Sequence, residues 1–394
     1  MLMREENELL TRVGPGTPCG ELLRRYWHPV GVASELTEAK PKKRVRILGE
    51  DLVLFRLPAT PDGRLRYGLL AEHCSHRAAS LYYGTLEDDG LRCAYHGWKY
   101  NVSGRCLEQP FEPEESNYKD EIRHPAYPVE KLTGLLFAYM GPLEKKPLLP
   151  RWDVLVRKDG TREIQVHPVL KCNWLQAQEN TPDLVHGYYL HAHQFKVRGM
   201  SEGAYRYRQI ERIEFDEFEW GLRQRRIYAD RGPGAVTAYP MVFPNIMRLR
   251  EAAKEVIHWR VPIDDSNTQI FWLGFTSSTD GKKVKQPEDP PVKYVTYKDE
   301  EGEFLMTSFP SQDAMAWETQ GPIFDRTQEH LGSSDRGIVK LRKMLRDQIK
   351  VVEQGGEPMA LVRDPEKNRI IEFITLQGSL DEGMRWVEMQ KKAI

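Results

Sequence analysis

Glu72-His73-Cys74-Ser75-His76-Arg77 and Arg92-Cys93-Ala94-Tyr95-His96-Gly97-Trp98 carry two cysteine/histidine pairs with 16 residues between them. The second pair overlaps the end of a β-type run, Leu91 to Tyr95, and the first lies in a segment of loop composition, so two loops can face one another across a bound group. Thiolates are soft ligands suited to iron-sulfur clusters, and replacing two of four by neutral imidazoles raises the reduction potential. The set therefore reads as a one-electron relay. A structural zinc site uses the same complement, but zinc pairs usually run C-x2-4-C and then H-x3-5-H. Here each pair is mixed, as C-x-H and C-x2-H.

Outward from these loops the chain consists of short β-type runs: Val45 to Leu48, a Gly49-Glu50-Asp51 turn, Leu52 to Leu57 and Gly134 to Met140. Residues 43–150 read as a small all-β domain that ends in a linker, Gly141 to Pro150, with three prolines and two lysines. Residues 1–42 read as an N-terminal helical arm packing with the second domain, its helix expected over Pro18 to Trp27 ahead of a Lys-rich turn at Pro41-Lys42-Lys43. Residues 151–394 supply further strands, Glu163 to Val169, Tyr205 to Phe215, Glu219 to Tyr228, Val256 to Pro262 and Thr268 to Thr276. Ser333, Ser334 and Asp335 precede Ile338, Leu341, Leu345, Ile349 and Val352, the spacing of one helix face, and Gly355-Gly356 end it. Antiparallel strands with segregated helices make this domain α+β.

A chain of 394 residues suits two such domains. Its 57 Lys and Arg almost cancel its 58 Asp and Glu, so no global field draws it to nucleic acid or an anionic membrane. The five cysteines are an odd number spread thinly, which argues for reduced thiols or metal ligands. The acidic N-terminus lacks a signal-peptide pattern, and no run approaches the roughly 20 apolar residues of a membrane span. The expectation is a soluble, cytoplasmic protein.

A second constellation, Glu179 to His193, crowds three histidines and two acids into a segment of helical composition interrupted by Pro182. Thr181 can cap a helix, Pro182 suits its first position, and Asp183 falls where the dipole favours an anion. Two imidazoles and one carboxylate on one face of a metal form the triad of non-haem Fe(II) oxygenases. On an ideal helix His186 and His191 stand about 140° apart, whereas His186 and His193 nearly coincide. Spacing alone therefore nominates His193.

The motifs Cys74-Ser75-His76-Arg77 and Cys93-Ala94-Tyr95-His96-Gly97-Trp98 resemble the Rieske motif of ring-hydroxylating oxygenases, in which the indole matching Trp98 covers the cluster. Asp183, His186 and His191 match that family's D-x2-H-x4-H pattern, and Gly187 would permit the widened turn this pairing needs. The resemblance thus implies His191 over His193, and the segment Gln312-Asp313-Ala314-Met315-Ala316-Trp317-Glu318 implies Asp313 as third ligand. The run Gly321 to Asp335, with Leu10 to Pro18 and Arg24-Arg25-Tyr26-Trp27-His28-Pro29, is similar to the phthalate 4,5-dioxygenase branch, so the resemblance covers nearly the whole chain.

It implies a helix-grip catalytic domain on an antiparallel sheet, with one [2Fe-2S] cluster on Cys74, His76, Cys93 and His96 and one mononuclear Fe(II) on His186, His191 and Asp313. It also implies a homotrimer, or a hexamer of two trimers, in which Asp183 bridges the imidazole of His96 in one chain to that of His186 in the next. No G-x-G-x-x-G fingerprint follows a strand, so NAD(P)H electrons are expected through a separate flavin/iron-sulfur reductase. The expected reaction is hydroxylation of an aromatic substrate, an aryl carboxylate of the phthalate kind. Arginines at alternate positions, Arg206/Arg208, Arg223/Arg225 and Arg248/Arg250, are candidate carboxylate grips, although each pair also reads as a solvated strand face. Cys106-Leu107-Glu108-Gln109-Pro110-Phe111 is similar to 5,5′-dehydrodivanillate O-demethylases, which makes aryl-ether demethylation the alternative. A Rieske electron carrier without catalysis is the rival from another class.

Overall fold

The computed structural model describes residues 2–113, 115–200, 210–228, 235–251, 254–372 and 376–379. Three small sheets build the first half. Lys42–Ile47, Glu50–Arg56, Tyr67–Ala71 and Ala126–Tyr127 form one antiparallel sheet, and Thr85–Leu86, Leu91–Arg92, Lys99–Tyr100 and Cys106–Glu108 form a second. Within the Glu50–Arg56 strand the run Leu52 to Phe55 is apolar and buried because both of its faces are covered. Leu52 and Leu54 enter the large central core, while Val53 and Phe55 enter a separate core with Leu81, Leu91, Trp98 and Tyr100 that also encloses Cys74 and Cys93.

The third sheet joins Trp27–Val32 to Leu135–Tyr139 and Val129–Leu132. The helix expected to reach Trp27 accordingly stops at Leu23, since Trp27 already pairs with Tyr139 in a ladder. Gly141 to Pro150 is not a free linker: Leu149 is buried in the central core and the Leu148 N–H donates to the Val362 carbonyl.

Among the described residues the second half is built on a nine-stranded sheet. Its order is Ile210–Phe218, Gly221–Tyr228, Ala235–Val242, Ile246–Glu251, Lys254–Asp264, Asn267–Ser277, Gly160–Val166 and Val292–Tyr294, with Leu376–Ser379 beside Ala235–Val242. All pairings are antiparallel except that of Gly160–Val166 with Val292–Tyr294. Side chains alternate across such a sheet. Ile257, Trp259 and Val261 go to the central core with Phe271, Leu273 and Phe275, and the intervening His258, Arg260, Ile270 and Trp272 line a cavity on the other face. The Arg336–Glu353 helix buries Leu341, Leu345, Ile349 and Val352 as its spacing predicts. This is the α+β architecture expected, an all-β domain beside a sheet-rich domain with helices.

The two halves share the central core, and Leu48 and Gly49 donate backbone hydrogen bonds to Pro262 and Ile263. No helix among the described residues is long and apolar enough to cross a membrane.

Candidate metal centres

The loops around Cys74 and Cys93 are closed by short backbone bonds, Ala78 N–H to Cys74 O and Gly97 N–H to Cys93 O. Gly97 has φ +75°, and a Cβ there would lie 2.9 Å from Pro110, so this turn favours glycine on two counts. Cys74 and Cys93 are buried, whereas His76 is exposed and His96 half-buried. The four side chains pair like with like. Burial and the adjoining Cys74 thiol push the Cys93 thiol up, and the His76 and His96 rings meet edge-on with centroids 4.6 Å apart. Trp98 stacks flat on His76 at 4.4 Å, and the Tyr100 hydroxyl lies 3.2 Å from Cys74 Sγ. A zinc ion would draw four ligand atoms to one point. Two thiols beneath two imidazoles instead fit a two-iron cluster that carries its histidines on one iron.

The second constellation folds differently from an ideal helix. Gly187–His193 is a π-helix, whose i to i+5 bonding brings His186 and His191 onto one face with ring centroids 5.3 Å apart. The widened turn expected around Gly187 is present, and His193 packs beside Tyr189 at 6.0 Å, away from the pair. Asp313, in the Phe309–Glu318 helix, places Oδ1 3.2 Å from His191 Nε2 and 3.9 Å from His186 Nε2. One ligand atom from each of His186, His191 and Asp313 lies within 4.8 Å of the others, a group suited to a single ion. Burial would raise the Asp313 carboxyl, but His191, His186 and Arg260 bring it below the usual carboxylate range.

Gln312, which sequence reasoning missed, fixes the donor atoms. Its amide nitrogen donates to Met306 O, so its oxygen accepts from His191 Nδ1 at 2.7 Å, and Nε2 is the ring atom that faces Asp313 and could ligate a metal. Thr181 does not cap this helix. Helical structure begins at His186, and Asp183 Oδ1 accepts from the Val185 and His186 N–H groups at 3.0 and 3.3 Å. Asp183 Oδ2 stands 3.7 Å from His186 Nδ1.

The triad opens on a cavity of about 380 Å³, within the range of small-molecule sites. The arginine pairs serve it unevenly. Arg248 is buried in ion pairs with Asp153 and Glu255, Arg225 pairs with Glu214 and Asp216, and Arg223 lies over the Phe218 ring. Arg206 and Arg208 lie outside the described residues. Arg250 does line the cavity, together with Arg226 and Arg260, neither of which the alternation had singled out. A polar pair at alternate positions in an apolar strand, His258 and Arg260, was the available signal.

Residues 26–128 match the Rieske [2Fe-2S] domain family, a span that holds all four cysteine and histidine candidates, and residues 297–394 match the LigXa C-terminal domain-like family. The chain is 41% identical to the 5,5′-dehydrodivanillate O-demethylase oxygenase subunit of Sphingobium sp., over 99% of this chain and 91% of that protein. The chain belongs to the Rieske oxygenases. Among its relatives are the phenoxybenzoate dioxygenase alpha subunit of Ectopseudomonas oleovorans, 38% identical over 89% of this chain and 86% of that one. The phthalate 4,5-dioxygenase oxygenase subunit of Pseudomonas putida is 30% identical over 100% and 96%. A solved structure of Pseudomonas putida NdmA with theobromine superposes with a TM-score of 0.64 at 22% identity, covering 88% of this chain and 97% of that one. This Rieske oxygenase is thus an enzyme of the non-haem iron family, and the carrier reading falls away.

Proposed function

We propose that this oxygenase acts on an aryl carboxylate bearing a methoxy group and removes the methyl carbon as formaldehyde. The observation that carries this reading is the meeting of His186, His191 and Asp313 at the wall of a cavity. The identity to the dehydrodivanillate O-demethylase subunit supports the choice of reaction. Cys74, His76, Cys93 and His96 would hold the cluster, and His186, His191 and Asp313 a single Fe(II). Bound there, these groups supply electrons one at a time and the chemistry of dioxygen. The substrate balance is simple: the ether CH₃ gains one oxygen of O₂ and becomes a hemiacetal, which breaks its C–O bond to give a phenol and formaldehyde. The second oxygen leaves as water with two external electrons and two protons.

Gln312 holds the His191 tautomer throughout, and Asp183 orients His186 while facing the incoming cluster of a neighbouring chain in a trimer or a hexamer. A flavin/iron-sulfur reductase supplies the electrons. A second reading, ring dihydroxylation, is favoured by the identity to the phthalate 4,5-dioxygenase subunit across the full chain. Supplying the purified protein with a surrogate reductase, NADH, methoxybenzoates and phthalate separates the two. Formaldehyde formed in step with oxygen uptake supports demethylation, and a cis-dihydrodiol without formaldehyde supports the second reading. NADH oxidation that yields only peroxide with every aryl acid would overturn both.

A further inference from the structure

The sheet makes one wall of the cavity, and several ring nitrogens on it lack partners. His258 stands opposite Trp272 in register, with ring centroids 4.6 Å apart, and His167 follows at 5.8 Å from Trp272. Three ring nitrogens here, His167 Nε2, His258 Nε2 and Trp272 Nε1, are buried without a hydrogen-bond partner. Leaving such an atom unpaired is costly, so a wall holding three favours a ligand that supplies their partners. An indole N–H can only donate. His167 Nδ1 lies 2.8 Å from the Tyr297 hydroxyl, and a phenol donating there leaves the imidazole proton on Nε2, a second donor. Burial pulls His167 down to about 3 and His258 well below its ordinary value, so both rings are neutral.

Arg260 sits two residues along the same strand face, 2% exposed, with its guanidinium against Gln178, Thr181 and Met247 Sδ and not against a carboxylate. Among the described lining residues Asp313 is the one carboxylate, and its charge also acts on Arg260. A buried cation is costly even with Asp313 nearby, and a ligand anion offsets that cost. We propose that Trp272, His258 and His167, backed by the charge of Arg260, form a carboxylate-binding wall that holds the aryl acid with its ring directed at His186, His191 and Asp313. This rests on the aryl carboxylate reading above and adds the residues that select it. It replaces a two-arginine clamp with neutral donors, whose demand is for an acceptor oxygen and whose charge preference comes from Arg260.

Calorimetric titration of the holoenzyme with benzoate, and with anisole as the uncharged ring, tests the wall without turnover. Trp272→Phe keeps the ring and removes one donor, and His167→Leu removes the other. Each is expected to weaken benzoate about 10-fold and leave anisole unchanged, the effect of one hydrogen bond to a charged group. Unchanged visible absorbance and melting temperature identify the folded variants, and either one suffices for the test. Equal benzoate affinity in wild type and a folded variant would overturn the proposal, as would a wild type that binds anisole but not benzoate. If benzoate binding depends on these residues yet no methoxybenzoate loses formaldehyde, the wall stands and the demethylation reading fails.

Discussion

The two candidate metal centres of this chain are built on opposite plans. The cysteine/histidine site lies in two loops of one small domain, with its thiols buried and its imidazoles toward solvent. The triad lies against a cavity, and its partners come from far apart: 121 residues separate His191 from the Gln312 that orients it. A site that passes electrons needs an open edge where a second centre can approach, and a site that handles substrate needs walls. The first is therefore a local structure held by turns, and the second exists only when helices and sheet are assembled.

The contrast predicts independent loss. Asp313→Ala is expected to cut product formation at least about 100-fold and to lower the iron content from about three to about two per chain, while the visible spectrum persists. Cys93→Ser should do the reverse, bleaching the protein and leaving about one iron. Metal analysis and absorbance on the same samples check both, and bleaching in Asp313→Ala would show that the two centres are not separate.

Asp183 tests the connection between them. Its carboxylate touches His186 and two backbone N–H groups but is absent from the triad, so Asp183→Ala is expected to keep both metals and lose about 10- to 100-fold in turnover. Normal product formation by that variant, measured under saturating reductase, would remove Asp183 from the path.

The smallest effect is expected at Tyr100. Its hydroxyl lies 3.2 Å from the Cys74 sulfur and toward a cluster-bound thiolate could only donate, and donors to sulfur favour the more negative reduced cluster. Tyr100→Phe should keep the colour and lower the potential by roughly 60 mV, about 1.4 kcal/mol in a one-electron couple. An unchanged potential in spectroelectrochemical titration would mean that this contact does not tune the cluster.

Reading the sequence went furthest where contacts are local. The mixed C-x-H and C-x2-H pairs identify their own chemistry, and the strand and helix periodicities of the second half recur in the structure within a few residues. Asp313 was reached only through resemblance, since one acid among 58 carries no label of its own. The arginine pairs mark the limit. Alternation says that Arg248 and Arg250 start from one face of a strand, but only the packing of Asp153 and Glu255 decides that Arg248 is spent on a buried ion pair.

By itself, then, the sequence determined the mixed cysteine/histidine motif, the α+β plan and the segment that carries His186 and His191, because each depends on residues near one another in the chain. Tertiary structure decided that a π-helix turns His191 inward and which amide fixes its tautomer. It also decided which wall of the cavity presents His167, His258 and Trp272, because a strand's two faces are chemically equivalent until something packs against one of them.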